Sequence, residues 1–115
     1  MAKIISIHEY KLKQGISGAQ FEIAVADARS RGLFNLPGLV GHHFLKHIRG
    51  TRTVAYSAIW IYENREAWEK LWGKVDKPIK KENYPEKWKI WENEILSPLL
   101  FQDPDQIYYA AYEEF

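Results

Sequence analysis

The chain has 115 residues, of which 46% are hydrophobic and 15% aromatic, and its formal net charge is +1. This length fits one domain over 1–115, and the apolar content excludes a disordered chain. So small a charge predicts no binding to nucleic acid or to an anionic membrane. The absence of Cys excludes disulfides, and no apolar run is long enough to span a bilayer, so we expect a cytoplasmic protein.

A strand, a helix and a second strand are predicted first. Residues 3–13 carry apolar side chains on both faces of a strand, which Gly15 ends. Ser17 and Gln20 have the spacing of a capping box and predict the start of a helix. Gly32 is a suitable stop for that helix, and the second strand is predicted over 39–48.

The third predicted strand, residues 53–62, follows a short charged turn at 49–52. It is apolar at nearly every position instead of every second one, which indicates that both faces of the sheet are covered. Helices of so short a chain cover one face only. The sequence therefore predicts that a second copy covers the other face, in a homodimer.

The second helical region is predicted in two parts. Asn64 is a candidate N-cap for a helix with Trp68 and Trp72 on one face. Residues 74–81 predict a loop, and Pro85 suits the first turn of the second part.

A last strand is predicted over 106–112. The order β-α-β-β-α-β predicts an α+β, ferredoxin-like fold, in which a four-stranded antiparallel sheet carries helices on one face.

Three motifs indicate a family. They are Lys-Gln-Gly at 13–15, Leu-Pro-Gly-Leu-Val-Gly at 36–41, and Trp-Ile-Tyr-Glu-Asn-Arg-Glu-Ala-Trp at 60–68. With them the chain resembles the dimeric α/β-barrel superfamily, close to its antibiotic-biosynthesis-monooxygenase-like group. The resemblance implies that two ferredoxin-like sheets pack face to face. The activities it implies range from oxygenation and haem degradation to isomerisation and cyclisation, and some members have no known reaction.

His8 is the candidate catalytic residue. By strand alternation it shares a face with Ser6, Tyr10 and Leu12. The resemblance puts it where haem-degrading members carry an asparagine, facing a pocket between sheet and helices. An imidazole with a pKa near 6.5 acts there as base, acid or hydrogen-bonding group. The alternative is a core histidine bonded to a neighbouring group.

Aromatic side chains are the candidates for substrate binding. They would form the walls of a pocket for a flat, apolar ligand, or else fill an ordinary core. The candidate substrate-binding residues are Tyr10, Tyr56, Trp68, Trp72, Tyr84 and Trp88.

No metal or cofactor is expected. His42 and His43 point to opposite faces of a strand, and His43 and His47 lie roughly 13 Å apart along it, too far to share an ion. The haem-degrading members share a histidine that lies further along the chain and binds the haem iron. No His follows His47 in this chain, so haem is not expected to bind in that way. The six lysines within 74–89 predict either a lid for an anionic ligand or a solvated loop.

The leading prediction is a small, cofactor-independent, monooxygenase-like enzyme that acts on an aromatic or polyketide-like compound. His8 would hydrogen-bond or deprotonate the substrate, while Trp68 and Trp72 would shape the pocket. A cyclase or isomerase, using His8 with Tyr84, is the runner-up. The alternative from another class is a non-catalytic homodimer, either ligand-binding or fully packed. An accessible cavity at His8 would favour the enzyme.

Overall fold

A computed structural model describes residues 2–115 of the chain. It contains six strands, and their bounds are β1 Ile4–Tyr10, β2 Leu39–Lys46, β3 Tyr56–Tyr62, β4 Gly73–Lys74, β5 Lys77–Pro78 and β6 Tyr109–Glu113. Four of them form the main sheet in the order β2-β3-β1-β6, and each neighbouring pair is antiparallel. The two shortest strands, β4 and β5, pair in a separate small hairpin.

Three helices connect the strands of the main sheet. Their bounds are α1 Gly18–Ser30, α2 Arg65–Trp72 and α3 Glu86–Ile90, which continues as a π-helical segment over Trp91–Leu96. The predicted βαββαβ order and the α+β, ferredoxin-like fold are confirmed. None of the helices described within residues 2–115 combines the length and apolarity needed to cross a membrane.

The predicted helix starts follow from side chains that satisfy free backbone amides. The Ser17 Oγ accepts a hydrogen bond from the Gln20 N–H at 3.1 Å, and the Gln20 Oε1 accepts one from the Ser17 N–H at 2.7 Å. The Asn64 Oδ1 accepts one from the Ala67 N–H at 2.8 Å. The capping box of α1 and the N-cap of α2 are therefore both confirmed.

The two faces of the main sheet differ in burial. On β3, Tyr56, Ala58, Trp60 and Tyr62 are at most 5% exposed, whereas the three residues between them are only partly buried. We call the first side the helix face, because the buried side chains of all three helices join its core. The second side, which no element of the same chain covers within residues 2–115, is called the open face.

The register of β1 on β3 places His8 on the helix face. His8 pairs with Ala58 and Ser6 pairs with Trp60, and directly opposed residues in an antiparallel sheet share a face. Ile5 and Ile7 belong to the open face and are partly buried.

The predicted hairpin between β2 and β3 is too tight. Its strands stop at Lys46 and begin again at Tyr56, so the connection covers 47–55 instead of 49–52. The His47 N–H still donates to the Ala55 carbonyl at 2.9 Å, but most residues between them are polar and exposed, and Ile48 is 92% exposed. Most of this segment therefore buries no apolar surface on the sheet.

The second half of the chain contains two further corrections. The predicted loop over 74–81 includes β5 and is preceded by Gly73, whose φ of 86° few other residues adopt. The last strand begins at Tyr109 instead of 106, because a 3-10 turn occupies Pro104–Gln106.

Candidate ligand-binding cavity

A cavity of about 190 Å³ lies between one end of the helix face and the elements that cover it. Its floor is formed by the main sheet, with Ser6 and His8 from β1, Tyr62 from β3 and Tyr109 from β6. The aromatic walls come from α2, α3 and the segment between them, and consist of Trp68, Trp72, Tyr84 and Trp88. The cavity is therefore built from elements that are far apart in the chain.

The His8 imidazole is enclosed by aromatic rings. Its centroid lies 6.0 Å from the ring centroids of both Trp60 and Trp88, and 5.9 Å from that of Tyr109. Burial in this setting lowers the pKa of His8 from 6.5 to about 4, because the charged form loses its hydration. At neutral pH the imidazole is therefore uncharged, with one nitrogen able to donate a hydrogen bond and the other able to accept one.

The aromatic walls make edge-to-face contacts. The Trp72 ring centroid lies 5.3 Å from that of Tyr84 and 5.4 Å from that of Trp88, in T-shaped or nearly T-shaped geometry. Burial raises the pKa of both Tyr62 and Tyr84, so their phenols stay protonated at neutral pH. These residues thus give the cavity apolar ring surfaces together with neutral polar groups, namely one imidazole and two phenols.

Glu92 is the site residue that sequence reasoning missed. It lies in the π-helical segment after α3, is only 8% exposed, and lines the cavity. Its Oε1 is buried and makes no hydrogen bond with any of residues 2–115. Burial raises the pKa of the Glu92 carboxyl, an effect that the Trp88 indole N–H and then Lys81 oppose and that Asp105 increases. The available signal was its spacing, four residues after Trp88 and three before Ile95, on the buried stripe of the helix.

The ionisable side chains at the cavity wall include two carboxylic acids. Glu92 and Asp105 line it, and within residues 2–115 no Lys or Arg does. The Asp105 carboxylate is paired with the Lys81 ammonium at 3.7 Å. Lys80, Lys81 and Lys89 do not line the cavity but an open depression on the outer surface, which Glu92 also borders. The geometry therefore gives no support to the predicted lysine lid for an anionic ligand.

Five of the seven predicted site residues meet at the cavity. They are His8, Trp68, Trp72, Tyr84 and Trp88. The other two, Tyr10 and Tyr56, lie on the helix face as predicted but outside the cavity. Tyr10 is fully buried against Phe21 and Phe44, with ring centroids 5.6 and 6.3 Å away.

Tyr56 is covered by the same helix as Tyr10. Its ring stacks on Phe21 at 4.6 Å, and its hydroxyl donates a 2.5 Å hydrogen bond to the Glu22 carboxylate. This bond raises the pKa of Tyr56 to about 12. The expectation that Tyr10 and Tyr56 would join the pocket is corrected, because α1 packs directly over this end of the sheet.

The histidines of β2 stand apart from the cavity. His42 lies on the helix face, where its Nε2 accepts a hydrogen bond from the Arg29 Nε at 3.2 Å, and His43 lies opposite Ile59 on the open face. Within residues 2–115, no three His, Asp or Glu side chains come together as a metal site would require.

No model of a protein family matches the chain, and no curated protein matches its sequence. Solved structures match its fold. A dabb family protein with a ferredoxin-like fold from Mesorhizobium loti is 10% identical, with a TM-score of 0.62 over 100% of this chain and 97% of that one. SnoaB, a cofactor-independent oxygenase from Streptomyces nogalater, is 12% identical, with a TM-score of 0.60 over 97% of this chain and 92% of its own.

A third similar structure is a dimeric ferredoxin-like protein of unknown function from Jannaschia sp. It is 12% identical, with a TM-score of 0.59, and the match covers 96% of this chain and 97% of that one. At such identities the likeness shows the fold alone. The ferredoxin-like resemblance predicted from the three sequence motifs is therefore confirmed at the level of the fold.

Proposed function

We propose that this protein is a homodimer that binds a small aromatic compound in its cavity and oxidises it with O2, without a cofactor. The observation that carries the proposal is a partly open aromatic cavity whose floor presents an uncharged imidazole, His8. Pockets of this kind, mostly apolar with a few convergent polar groups, are the usual binding sites of small molecules.

The volume of the cavity limits the size of the compounds that could be its substrate. A volume of about 190 Å³ somewhat exceeds that of the engineered cavity of about 150 Å³ that binds benzene. It suits a compound of one or two fused rings better than the larger polyketide-like molecules also predicted from the sequence. Trp68, Trp72 and Trp88 would contact the ring faces and edges.

The reaction needs a proton acceptor and a dry site. A substrate whose ring carries an acidic hydroxyl and a CH2 or CH position loses a proton, and the resulting anion gives an electron to O2. Conversion of a CH2 group with O2 to C=O and water balances without an added reductant, because the substrate supplies all four electrons. The chain would contribute orientation, proton removal and exclusion of water.

His8 would act by hydrogen bonding more than by storing the proton. A base with a pKa of about 4 is weak at neutral pH, so its N–H donates a hydrogen bond to the substrate oxygen and stabilises the anion. The hydrogens lost from the CH2 group end in the water formed from O2. SnoaB, whose fold matches, is a cofactor-independent oxygenase, which supports the proposal as an analogy of fold.

The open face supports the homodimer. Its centre consists of isoleucines of β1 and β3, and towards its edges Leu45 is 43% exposed and Tyr112 is 54% exposed. A contiguous apolar surface of this kind on a single chain indicates an interface. A similar fold occurs in a protein described as dimeric. We propose that a second copy packs face to face on this surface.

Light scattering after size exclusion tests the dimer. The chain is expected to run at twice its mass of 13.6 kDa at micromolar concentration. Ile59→Asp, at the centre of the open face, is expected to give monomer or unfolded protein, whereas Ile23→Asp, 70% exposed on α1, leaves the dimer intact. A stable, folded monomer of the unaltered chain would refute the homodimer.

One observation favours a second candidate, a non-catalytic protein. The His8 ring is surrounded by Tyr10, Trp60, Trp88 and Tyr109, as a core histidine is. In this alternative the cavity binds a ligand without turnover or closes completely in solution.

Binding and turnover separate the two candidates. Tryptophan fluorescence is followed during titration with phenols and aromatic ketones of one or two rings, and O2 consumption is then measured with every compound that binds. We expect saturable quenching at micromolar concentration and O2 uptake that His8→Phe lowers at least about tenfold. His47→Phe, in the exposed loop 47–55, is the matched control. Saturable binding without O2 uptake would favour the non-catalytic candidate, and no binding would favour the packed one.

A further inference from the structure

The Glu92 carboxyl is a buried polar group in which one oxygen is left without a hydrogen-bond partner in the described part of the chain. Its Oε1 has no hydrogen-bond partner among residues 2–115, although the side chain is more than nine-tenths buried. A buried acceptor without a donor costs stability, so such groups are retained in proteins where something else satisfies them. Glu92 lines the cavity, and the broad, two-fold distribution of its last side-chain torsion allows either oxygen to turn toward a ligand.

The backbone around Glu92 is also unusual. The Glu92 carbonyl accepts a hydrogen bond from the Ser97 N–H at 2.9 Å, a five-residue step that belongs to the π-helical segment. Such segments are less regular than an α-helix and occur frequently at functional sites. The irregular turn and the unsatisfied carboxyl thus coincide at the wall of the cavity.

The surroundings of Glu92 define what the carboxyl can bind. Four neighbouring side chains interact with the Glu92 carboxyl: Trp88, Tyr84, Asp105 and Lys81. Only Lys81 is cationic. Lys81 is already paired with Asp105 at 3.7 Å and does not line the cavity. An anionic ligand would therefore meet two carboxyls and no cation, whereas a ligand with an O–H or N–H donor would satisfy Glu92.

We infer that Glu92 is the group that selects the ligand: the cavity takes an aromatic compound bearing a hydrogen-bond donor, such as a phenol, which the Glu92 carboxyl accepts. Aromatic carboxylates of the same size are rejected. This inference rests on the proposed function and names the substrate class of the same cavity.

The test uses three ligands of nearly equal shape. 2-Naphthol carries a donor, 2-methoxynaphthalene lacks it, and 2-naphthoate carries a negative charge. In a ligand-observed NMR titration at neutral pH, 2-naphthol is expected to bind about tenfold more tightly than 2-methoxynaphthalene, as a hydrogen bond to a carboxylate provides. 2-Naphthoate is expected to bind most weakly of the three.

Variants of Glu92 decide whether this residue makes the distinction. Glu92→Leu is expected to bind the two neutral ligands equally and to melt at the same temperature or higher, because it removes an unsatisfied buried carboxyl. Glu92→Gln keeps an acceptor oxygen and retains part of the preference. Glu94→Leu, exposed two residues further on, is the matched control and leaves the preference unchanged. A merely structural Glu92 would instead lower the melting temperature when replaced and leave the preference intact.

The outcomes distinguish this inference from the proposed function. If both neutral ligands bind equally to the unaltered protein, or if Glu92→Leu keeps the preference, Glu92 does not select and the inference is wrong, while the aromatic site stands. Tighter binding of 2-naphthoate refutes the inference in the same way. If no ligand of the three binds, the open aromatic site itself is refuted together with the inference.

Discussion

The two ends of the helix face have similar aromatic composition and opposite packing. At one end, where α1 covers the sheet, the rings of four residues contact one another and three of the four are at most 5% exposed; the four are Tyr10, Phe21, Phe44 and Tyr56. At the other end, a similar number of rings surrounds a cavity of about 190 Å³. Aromatic content alone therefore does not distinguish a core from a binding site.

The covering element makes the difference. The thirteen-residue helix α1 buries Phe21, Val25 and Ala28 along a continuous stripe, so its side chains fill the space above the sheet. The cavity end is covered by several elements: α2, the β4–β5 hairpin, two 3-10 turns, and α3 with its π-helical continuation. Gaps remain where several elements meet, whereas the side chains of a single helix close the space above the other end.

The largest expected effect concerns stability at the packed end. Phe21 is 1% exposed, and Phe21→Ala is expected to lower the free energy of unfolding by about 3–5 kcal/mol, because it leaves a void beneath α1. Urea denaturation followed by circular dichroism measures this loss. Ile23→Ala, on the same helix but 70% exposed, should change stability by no more than about 0.5 kcal/mol. A small loss for Phe21→Ala would contradict the tight packing assigned to this end.

A pH-dependent effect of intermediate size is expected at the cavity end. The unfolded chain protonates His8 near pH 6.5 and the folded protein only near about 4, so the unfolded state binds the extra proton between these values. His8 therefore leaves stability unchanged above pH 6.5 and lowers it as the pH falls towards 4. The free energy of unfolding is expected to fall by about 3 kcal/mol in total through this range of pH.

The comparison of the natural chain with His8→Phe isolates this contribution. Glu92, whose pKa is raised in the folded protein, has the opposite effect on the pH dependence of stability. Its contribution to the free energy of unfolding is lost as the pH rises above the pKa that this carboxyl has in the unfolded chain. Because Glu92 and Asp105 are present in both proteins, the difference between the two unfolding curves reports His8. A difference that stays constant between pH 7 and 4 would show that His8 is hydrated and that the cavity is open to water.

The smallest expected effect tests the role of Tyr56 at the packed end. Tyr56→Phe removes the hydrogen bond to the exposed Glu22 carboxylate and should cost about 1 kcal/mol of stability, without altering ligand binding. Thermal unfolding and the fluorescence titration measure the two properties. A change in ligand affinity would show that Tyr56 contributes to the binding site. The packed end of the helix face and the cavity end would then not differ in function.

Much of the fold was predictable because its signals are local. The Ser17–Gln20 capping box and the Asn64 cap satisfy amides three residues away, so spacing alone reveals them. The face of His8 follows from strand alternation, which needs only the positions of its neighbours. The ends of the strands were less predictable: the apolar pattern runs from residue 53, whereas β3 begins at Tyr56.

Site membership was decided by packing between distant segments. Alternation placed Tyr10 with His8, and Tyr56 was predicted as an aromatic residue of the pocket, but neither prediction contains information on which helix covers which end of the sheet. Tyr109 reaches the cavity because β6 pairs with β1 in the register that sets it opposite His8. Glu92 looks like one acid among many in its helix, and only the tertiary structure buries it.

The sequence by itself thus determined the order of the elements, their periods, their caps and the face on which His8 lies. These features depend on backbone preferences and on contacts within a few residues. Only the tertiary structure decided where the helix face is closed, where it is open, and that Glu92 borders the opening. A cavity is the space left between elements that meet from remote parts of the chain, and no local pattern records it.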